Sequence, residues 1–136
     1  MGDLPTAHTR PMIHLDTDFL IHGLVRGSAA DRHLRGWLGA GEGLAMSAVA
    51  WAEVLCGHAD PRVMDLVGQI VSRRVPFGEE EEALAARLFD ESGRRRGSLG
   101  DCMVAASAIR ARALLATASL KDFRRFVPAG LQIAGE

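Results

Sequence analysis

Short apolar runs alternate along this chain with longer segments in which apolar residues recur at helical spacing. The runs are too short for helices and predict strands at Met12–Leu15, Leu44–Met46, Val75–Phe77, Ala113–Thr117 and Leu131–Ala134. The longer segments predict helices at Asp18–Val25, Asp31–Leu38, Ser47–Gly57, Pro61–Arg73, Glu79–Arg96 and Ser98–Arg112. Because strands and helices alternate throughout, the pattern predicts an α/β fold with a parallel sheet and helices on both faces.

The length and composition fit one domain. The chain has 136 residues, of which 48% are hydrophobic, and this is enough to fill one compact core. There is no internal repeat and no linker-like segment, so we expect a single domain over residues 1–136, with residues 1–10 as a flexible polar lead-in. The net charge of −1 excludes a general electrostatic attraction to nucleic acid or to an anionic membrane.

The two cysteines bear on the cellular compartment. Cys56 and Cys102 lie in predicted helices beside apolar neighbours, and the chain has no CxxC motif. No signal-peptide core precedes the first strand, and no apolar run reaches transmembrane length. We therefore expect a reduced, cytoplasmic protein that does not enter a membrane, with both cysteines packed in the core.

Three carboxylates stand in apolar surroundings at widely separated places. They are Asp16 in MIHLDTDFLI, Glu53 in SAVAWAEVLCG and Asp101 in SLGDCMVAASAI. A buried charge is normally paired or bound to a metal, and three acids in one cleft would repel one another without a cation. Asp16 also follows a predicted strand, at the carboxyl end where α/β sheets bind ligands. The pattern therefore predicts a site in which carboxylate oxygens bind Mg²⁺ and which catalyses phosphoryl transfer.

Two of these acids also have an ordinary structural explanation. Asp16 stands where it could be the N-cap of the helix that follows. Ser98 and Asp101 have the spacing of a capping box, and an acid in the first turn favours the helix dipole. Glu53 is harder to explain in this way, because its helical neighbours are all apolar or small. These neighbours are Val49, Ala50, Cys56 and Gly57.

Four segments in this order resemble the PIN-domain ribonucleases, and in particular the VapC toxins of bacterial toxin–antitoxin pairs. The segments are HLDTDFLIHGL, SAVAWAEVLCG, LGDCMVAASAIRARALLAT and ASLKDFRRF. The resemblance extends over nearly the whole chain from about Met12. It implies a three-layer PIN-like fold with a short parallel sheet of four to five strands. It also implies an endoribonuclease that depends on Mg²⁺ or Mn²⁺, usually a homodimer, held inactive by a VapB-type antitoxin.

The resemblance also assigns roles to the three acids. Asp16, Glu53 and Asp101 match the first three acids of the family motif. Asp16 and Asp101 would be direct metal ligands, while Glu53 would hold a metal-bound water or act as a general base. Such a site hydrolyses a phosphodiester without a nucleophilic side chain. In agreement, no histidine stands in a motif with serine or cysteine, and we expect His14 and His22 to be core or surface residues.

The fourth acidic position of the family is altered in this chain. It follows a threonine by two residues and is Ser119 here, a residue that brings no charge. A second metal site is therefore in doubt. Asp122, in the KDF segment, could substitute for the missing acid or cap a turn, and we favour the turn. Asp18 stands where the family commonly has asparagine and is a further candidate for the metal shell.

Arginines are the candidate contacts to RNA. Fifteen of the sixteen basic residues are arginine, and Lys121 is the only lysine. We expect Arg94, Arg95 and Arg96, just before the Asp101 helix, and Arg124 and Arg125, after KDF, to contact the RNA backbone. The alternative for the first three is compensation of a helix dipole whose other end carries Glu79–Glu82. Aromatic residues make up only 5% of the chain, which disfavours extensive base stacking.

Two predicted helices carry many large apolar residues. They are Asp31–Leu38 and Pro61–Arg73, and a small domain has limited room to bury both apolar faces. We expect one such surface to bind a second copy of the chain and another to bind an amphipathic segment of the antitoxin. The alternative is that these residues fill the core. They are Trp37, Leu38, Val63, Leu66, Val67 and Ile70.

Two other functions compete with this interpretation. Asp16-Thr17-Asp18 after an apolar strand looks like the DxD motif of haloacid-dehalogenase-type phosphatases. Those enzymes need a later lysine followed by an acidic pair, and no such pair follows Lys121. The other alternative is a catalytically weak PIN-like binding module, in which Ser119 has replaced a necessary acid.

Overall fold

A parallel five-stranded sheet forms the centre of the protein in the computed structural model, which describes residues 10–57, 60–94 and 98–135. The strands are β1 (Ile13–Leu15), β2 (Leu44–Ser47), β3 (Arg73–Val75), β4 (Leu114–Ala116) and β5 (Gln132–Ile133). Their order across the sheet is β3-β2-β1-β4-β5, and every pair is parallel. The predicted α/β fold with crossover helices is confirmed.

Helices connect the strands. In the described residues these are α1 (Thr17–Gly23), α2 (Ala29–Gly39), α3 (Ala48–Gly57), α4 (Pro61–Ile70), α5 (Glu79–Glu91), α6 (Leu99–Ala111) and α7 (Leu120–Phe123). A 3₁₀ helix, Arg124–Ala129, follows α7 directly. Within these ranges, no helix is both long enough and apolar enough to cross a lipid bilayer.

The strand order fixes where a site can form. The central strand β1 lies between β2 and β4, so the chain leaves β1 towards one edge of the sheet and later returns to its other side. Ligands bind at such a switch point, outside the carboxyl ends of the strands. The residues Asp16, Ser47 and Thr117 stand at the carboxyl ends of β1, β2 and β4 and are buried.

Local capping explains how two helices begin at this edge. Asp16 is the N-cap of α1, and its carboxylate accepts a hydrogen bond from the backbone amide of Phe19. Ser47 caps α3 as predicted, because its hydroxyl accepts a hydrogen bond from the amide of Ala50 at 3.1 Å. The capping box that was the alternative explanation for Asp101 does not form, since Ser98 makes no side-chain cap hydrogen bond at the start of α6.

Two predicted boundaries are wrong, both at β3. Helix α4 ends at Ile70 rather than at Arg73, because Val71 is already extended, with φ −91° and ψ 103°. Strand β3 comprises Arg73–Val75 rather than Val75–Phe77. It is an edge strand with two exposed arginines, which pair with Ala45 and Met46 of β2. Backbone pairing, not apolar character, selects the residues of this strand.

The predicted end of α5 is also wrong. The helix ends at Glu91, and the expected continuation to Arg96 is broken by left-handed backbone at Gly93 (φ 84°) and Arg94 (φ 54°). In the predicted lead-in, residues 1–9 lie outside the described part of the chain. Of the two cysteines, Cys102 is buried as predicted, whereas Cys56 is exposed.

Candidate active site

An acidic cleft of about 160 Å³ opens at the carboxyl end of the sheet. Five carboxylates from four parts of the chain contribute to its lining, together with two hydroxyls and two apolar side chains. The lining residues are Asp16, Thr17, Asp18, Glu53, Asp101, Val104, Ser119, Asp122 and Phe123. The fold therefore brings the three predicted acids to one place. We call this site the acidic cleft.

Asp16 lies at the floor of the acidic cleft and is only 6% exposed. One carboxylate oxygen accepts a hydrogen bond from the amide of Phe19 at 2.7 Å, and the other accepts one from the hydroxyl of Thr117 at 2.5 Å. Thr117 in turn accepts a hydrogen bond from the amide of Ser119 at 2.9 Å. The two explanations that the sequence offered for Asp16 are thus compatible, because it caps a helix and lines the cleft.

Burial dominates the electrostatics of Asp16. It raises the pKa of this carboxyl to about 6, although the hydrogen bonds from Thr117 and Phe19 act in the opposite direction. The neighbouring charges of Asp18 and Asp101 raise the pKa further. A buried acid crowded by like charges is a common feature of functional sites.

Asp101 lies in the first turn of α6 and is partly exposed. Burial is the largest cause of its raised pKa, and the nearby charge of Asp122 is the next. Arg125 opposes this rise, since its Nη2 atom lies 3.8 Å from Oδ2 of Asp101. The guanidinium of Arg125 also lies over the ring of Phe126, 4.6 Å from the ring centroid.

Glu53 differs from the expectation, because it is exposed rather than buried on an apolar face. Its helix α3 leaves much of its apolar surface uncovered, and Leu55 on the same helix is 55% exposed. The hydroxyl of Thr17 lies 2.8 Å from Oε1 of Glu53 and 3.2 Å from the carbonyl oxygen of Ala50. This contact holds the carboxylate at the rim of the acidic cleft. The apolar pattern around Glu53 reflects an uncovered surface, not the core.

The remaining candidates for the metal shell lie in the same cleft. Asp18 is exposed, while Ser119 and Asp122 are half-buried at the start of α7. Asp122, for which the sequence favoured a turn-capping role, faces the acidic cleft. There it is the charged neighbour that contributes most to the raised pKa of Asp101.

The predicted RNA-binding arginines fall into separate groups. Arg94 forms an ion pair with Asp90 and lies over the ring of Phe89, 5.2 Å from its centroid. Arg95 and Arg96 lie outside the described residues, and Arg124 is exposed. Arg125 adjoins the acidic cleft through Asp101.

The strand histidine belongs to the core. His14 is 2% exposed, and within the described residues neither of its ring nitrogens has a hydrogen-bond partner. Burial, and then the nearby charge of Arg73, lowers its pKa to about 4. His14 is therefore neutral at physiological pH and is not part of the acidic cleft. His22 is exposed on α1, so the expectation for both histidines is confirmed.

The donor chemistry of the acidic cleft fits a hard divalent cation. All its potential ligands are oxygens, and the crowding that raises the pKa of Asp16 and Asp101 would be relieved by positive charge. However, no three His, Cys, Asp or Glu side chains of the described residues are already close enough to form a closed metal site. An ion such as Mg²⁺ that keeps several waters suits this arrangement better than one enclosed by protein ligands.

Sequence reasoning missed two threonines that position the acids. Thr17 contacts Glu53 across 36 residues of chain, and Thr117 contacts Asp16 across 101 residues. The available signal was weak: Thr17 directly follows one acid, and Thr117 precedes Ser119 by two positions. A larger cavity of about 420 Å³ lies between α5 and α6, but its acid Glu80 is paired with Arg110.

Solved structures share this architecture. A chain of the DNA-bound VapBC structure from Salmonella typhimurium has a TM-score of 0.70 and 20% identity, over 91% of this chain and 97% of that chain. VapBC-1 from nontypeable Haemophilus influenzae has a TM-score of 0.69 and 22% identity, over 90% of this chain and 96% of that chain. A toxin–antitoxin complex from Klebsiella pneumoniae has a TM-score of 0.65 and 23% identity, over 82% of this chain and 89% of that chain. At these identities the likeness establishes a common fold.

The sequence itself identifies the family. No protein of curated function matches the chain. The model of the PIN-domain family, in contrast, matches residues 13–127, a range that includes β1, β4 and every acid of the acidic cleft. This protein therefore belongs to the PIN-domain family.

Proposed function

We propose that this chain is a metal-dependent endoribonuclease that hydrolyses RNA phosphodiester bonds, and that it is the toxin of a VapBC-type toxin–antitoxin pair. One observation carries the enzymatic part of the proposal. Five carboxylates line one small cleft at the switch point of a PIN-domain sheet, and the most deeply buried of them has a pKa raised to about 6. A protein has little reason to hold so many like charges together unless they bind a cation.

In the proposed site, Asp16 and Asp101 hold the cation, Mg²⁺ or Mn²⁺. Asp16 suits this role because two hydrogen bonds fix both of its oxygens. Glu53, at the open rim, orients a water molecule or accepts its proton as general base. A bound cation would polarise the scissile phosphoryl group and acidify the attacking water. Ser119 contributes a neutral hydroxyl, and Asp122 and Asp18 supply additional negative charge beside it.

RNA would approach the acidic cleft along Arg125. Its side chain is 19% exposed and lies beside Asp101, so a rotation of the side chain towards the cleft would bring its guanidinium to a phosphate there. Within the described residues, two of its guanidinium nitrogens are buried without a hydrogen-bond partner. A phosphate oxygen would provide such a partner through charge-assisted hydrogen bonds. The exposed Arg124 is a weaker candidate, and Arg94 already pairs with Asp90.

The antitoxin would bind an apolar groove between α1, α2 and α4. This groove has a volume of about 240 Å³, and Leu34, Leu38, Leu66 and Ile70 line it. Leu38 and Leu66 are 46% and 47% exposed, whereas Val67 of the same α4 is buried in the core. Amphipathic segments bind to grooves of this kind through apolar side chains at helical spacing. The structural relatives include a toxin–antitoxin complex, which supports a protein partner of this class.

The sequence analysis assigned the second copy to the apolar surface of α2 or of α4, but both helices line the one groove that we assign to the antitoxin. A second copy of the chain would therefore cover a different apolar surface. Helix α3 exposes Leu55 and leaves Trp51 partly uncovered, and α3 also carries Glu53. We propose that the protein is a homodimer in the cytoplasm. Light scattering at micromolar concentration tests the dimer, and a strict monomer would contradict it.

Cleavage of RNA by the purified chain tests the proposed activity. We expect cleavage of structured RNAs with Mg²⁺ or Mn²⁺ and none with EDTA. Asp101→Asn should abolish it, whereas Asp65→Asn should not, because Asp65 is an exposed acid of α4 outside the acidic cleft. Equal cleavage by the wild type and Asp101→Asn would refute the assigned site.

The RNA cleavage assay and a phosphatase assay separate the alternatives. A catalytically weak binding module, the alternative suggested by Ser119, would bind an antitoxin but cleave no RNA with either metal. The haloacid-dehalogenase-type phosphatase would release phosphate from small phosphomonoesters. Membership of the PIN-domain family leaves this last alternative without support.

A further inference from the structure

An aromatic pocket lies at the same edge of the sheet as the acidic cleft. Its volume is about 210 Å³, and the sequence analysis did not predict it, although it named Trp37 as part of an interaction surface. The residues that matter here are Phe19, His33, Trp37, Thr117, Leu120 and Gly135. Ligand pockets for larger molecules start at about 300 Å³, so this cavity suits one planar ring system.

The aromatic side chains of this pocket form a cluster in which Phe19 and Trp37 are stacked and His33 is tilted against both. The ring centroids of Phe19 and Trp37 are 5.7 Å apart with an interplanar angle of 24°, and those of His33 and Trp37 are 5.3 Å apart at 32°. Phe19 is buried and belongs to the core. Trp37, in contrast, is only partly buried, and His33 is exposed. Core packing therefore accounts for Phe19 and for the side of Trp37 that packs against the core, but not for His33 or for the part of Trp37 that remains open to solvent beside a cavity.

The aromatic pocket and the acidic cleft share a wall. Thr117 lines the pocket, and its hydroxyl donates a hydrogen bond to Asp16 in the cleft at 2.5 Å. Phe19 also lines the pocket, and its backbone amide donates a hydrogen bond to the same carboxylate at 2.7 Å. With the proposed cation held by the acids, a ligand that spans this wall would place a phosphate at the cation and a flat apolar group on the aromatic rings. A nucleotide has both groups.

We infer that the aromatic pocket binds one unpaired base of single-stranded RNA, next to the phosphodiester bond held at the acidic cleft. This inference rests on the proposed function and adds a base-binding subsite to it. Aromatic and histidine rings stack on unpaired bases in many RNA-binding proteins, and stacking tolerates different bases. The scarcity of aromatic residues in the chain remains consistent with this, because the pocket takes one base and not an extended row.

Tryptophan fluorescence gives a direct test that requires no cleavage. In a Glu53→Gln, Trp51→Phe background, Trp37 is the only tryptophan and both proposed metal ligands remain. Cleavage should be slow enough there for binding to be measured with Mg²⁺ present. The probes are short oligo(A), oligo(C), oligo(G) and oligo(U), together with a sugar-phosphate chain that carries no bases. We expect the base-containing chains to quench Trp37 and the abasic chain to leave its emission unchanged.

Two variants and one matched control complete the experiment. We expect His33→Ala and Trp37→Leu each to weaken the binding of base-containing chains about tenfold, the size of one base–aromatic stack. Affinities of the variants are compared by the fluorescence anisotropy of end-labelled chains, because Trp37→Leu leaves no tryptophan in this background. His22→Ala, which removes an exposed histidine outside the pocket, should bind as the background does. His33 is exposed, so His33→Ala should fold even if Trp37→Leu does not, and a thermal melt verifies this.

The possible outcomes separate this inference from the proposed function. Base-dependent quenching that is weakened in His33→Ala supports the pocket. Equal binding of the abasic chain, unchanged affinity in both variants, or no binding at all overturns it. Cleavage by the wild-type protein is scored independently with Mg²⁺ and EDTA. RNA that is cleaved without any contribution from His33 and Trp37 would leave the proposed function standing and remove the base subsite.

Discussion

Asp16 and Glu53 line the same cleft but are held in opposite ways. Asp16 is buried and accepts hydrogen bonds from Phe19 and Thr117, which belong to the helix after β1 and the loop after β4. Glu53 is exposed, and one hydroxyl contact to Thr17 holds it at the rim. Burial fixes the position of the Asp16 carboxylate but removes water from around its charge. The Glu53 carboxylate stays hydrated and is held less firmly. We therefore expect the buried acid to determine metal binding and the exposed acid to adjust to the reacting water.

This difference has a consequence for stability. The pKa of Asp16 is about 6 in the folded protein and 3.8 in the reference state, so the folded state binds the proton more tightly. The contribution of protonated Asp16 to stability is fully present below about pH 4 and is lost as the pH rises through 6. His14 on β1 acts oppositely, because its pKa is lowered from 6.5 to about 4 and stability is lost as the pH falls through this range.

The largest effect is expected for Asp16→Asn. Loss of a direct metal ligand should reduce RNA cleavage on the order of a thousandfold, because cation stabilisation of the transition state amounts to several kcal/mol. The asparagine can still cap α1, and the unfavourable buried charge disappears. We therefore expect the unfolding free energy without metal to rise by about 3 kcal/mol at pH 8 and to be nearly unchanged at pH 4. Urea denaturation at both pH values checks this, and a loss of stability at pH 8 would contradict it.

Glu53→Gln should have a smaller effect on cleavage and none on stability. A general base contributes roughly a hundredfold or more to the rate, so we expect cleavage to fall about a hundredfold. Because Glu53 is exposed, the unfolding free energy should stay within about 0.5 kcal/mol of the wild-type value. Single-turnover cleavage and urea denaturation measure the two quantities. Equal losses of cleavage in Asp16→Asn and Glu53→Gln would remove the distinction between the two acids.

Substitution of Thr117 and Thr17 tests the same comparison, because each threonine contacts one of the two acids. Groups that orient a metal ligand typically contribute 10- to 100-fold to activity, so Thr117→Val should reduce cleavage by roughly this factor. Thr17→Val should reduce cleavage less than about tenfold, because the exposed Glu53 side chain can still reach its position at the rim without the Thr17 contact. A double-mutant cycle with Asp16→Asn should show strong coupling for Thr117→Val. A larger loss in Thr17→Val than in Thr117→Val would reverse our assignment of the restrained acid.

The smallest effect concerns the pH dependence of metal binding. At pH 5 most of Asp16 is protonated in the folded protein, and a cation must displace this proton, whereas at pH 8 the carboxylate is free to bind. We expect Mg²⁺ to raise the melting temperature by a few degrees more at pH 8 than at pH 5. Asp16→Asn should lose most of this pH dependence. A stabilisation by Mg²⁺ that is equal at both pH values in the wild type would contradict the raised pKa of Asp16.

The sequence by itself determined the features that depend on neighbouring residues. Apolar runs and helical periodicity predicted the alternation of strands and helices, and the position of Asp16 after a strand predicted its place at the carboxyl edge of the sheet. The N-cap at Ser47 was also correct, because a cap forms within a few residues of the side chain that makes it. The order of the family motifs identified the three acids, although it could not give their exposure.

Only the tertiary structure decided what depends on residues far apart in the chain. Strand β3 formed at two exposed arginines because β2 supplied backbone partners there, and no apolar pattern marks such an edge strand. Glu53 is exposed because nothing in the described chain covers that face of α3, a fact that local apolarity concealed. The contact of Thr117 with Asp16 spans 101 residues, and the stacked rings of the aromatic pocket come from α1 and α2. Burial and hydrogen bonding between distant segments arise only when the chain folds, and they set the charge and shape of both pockets.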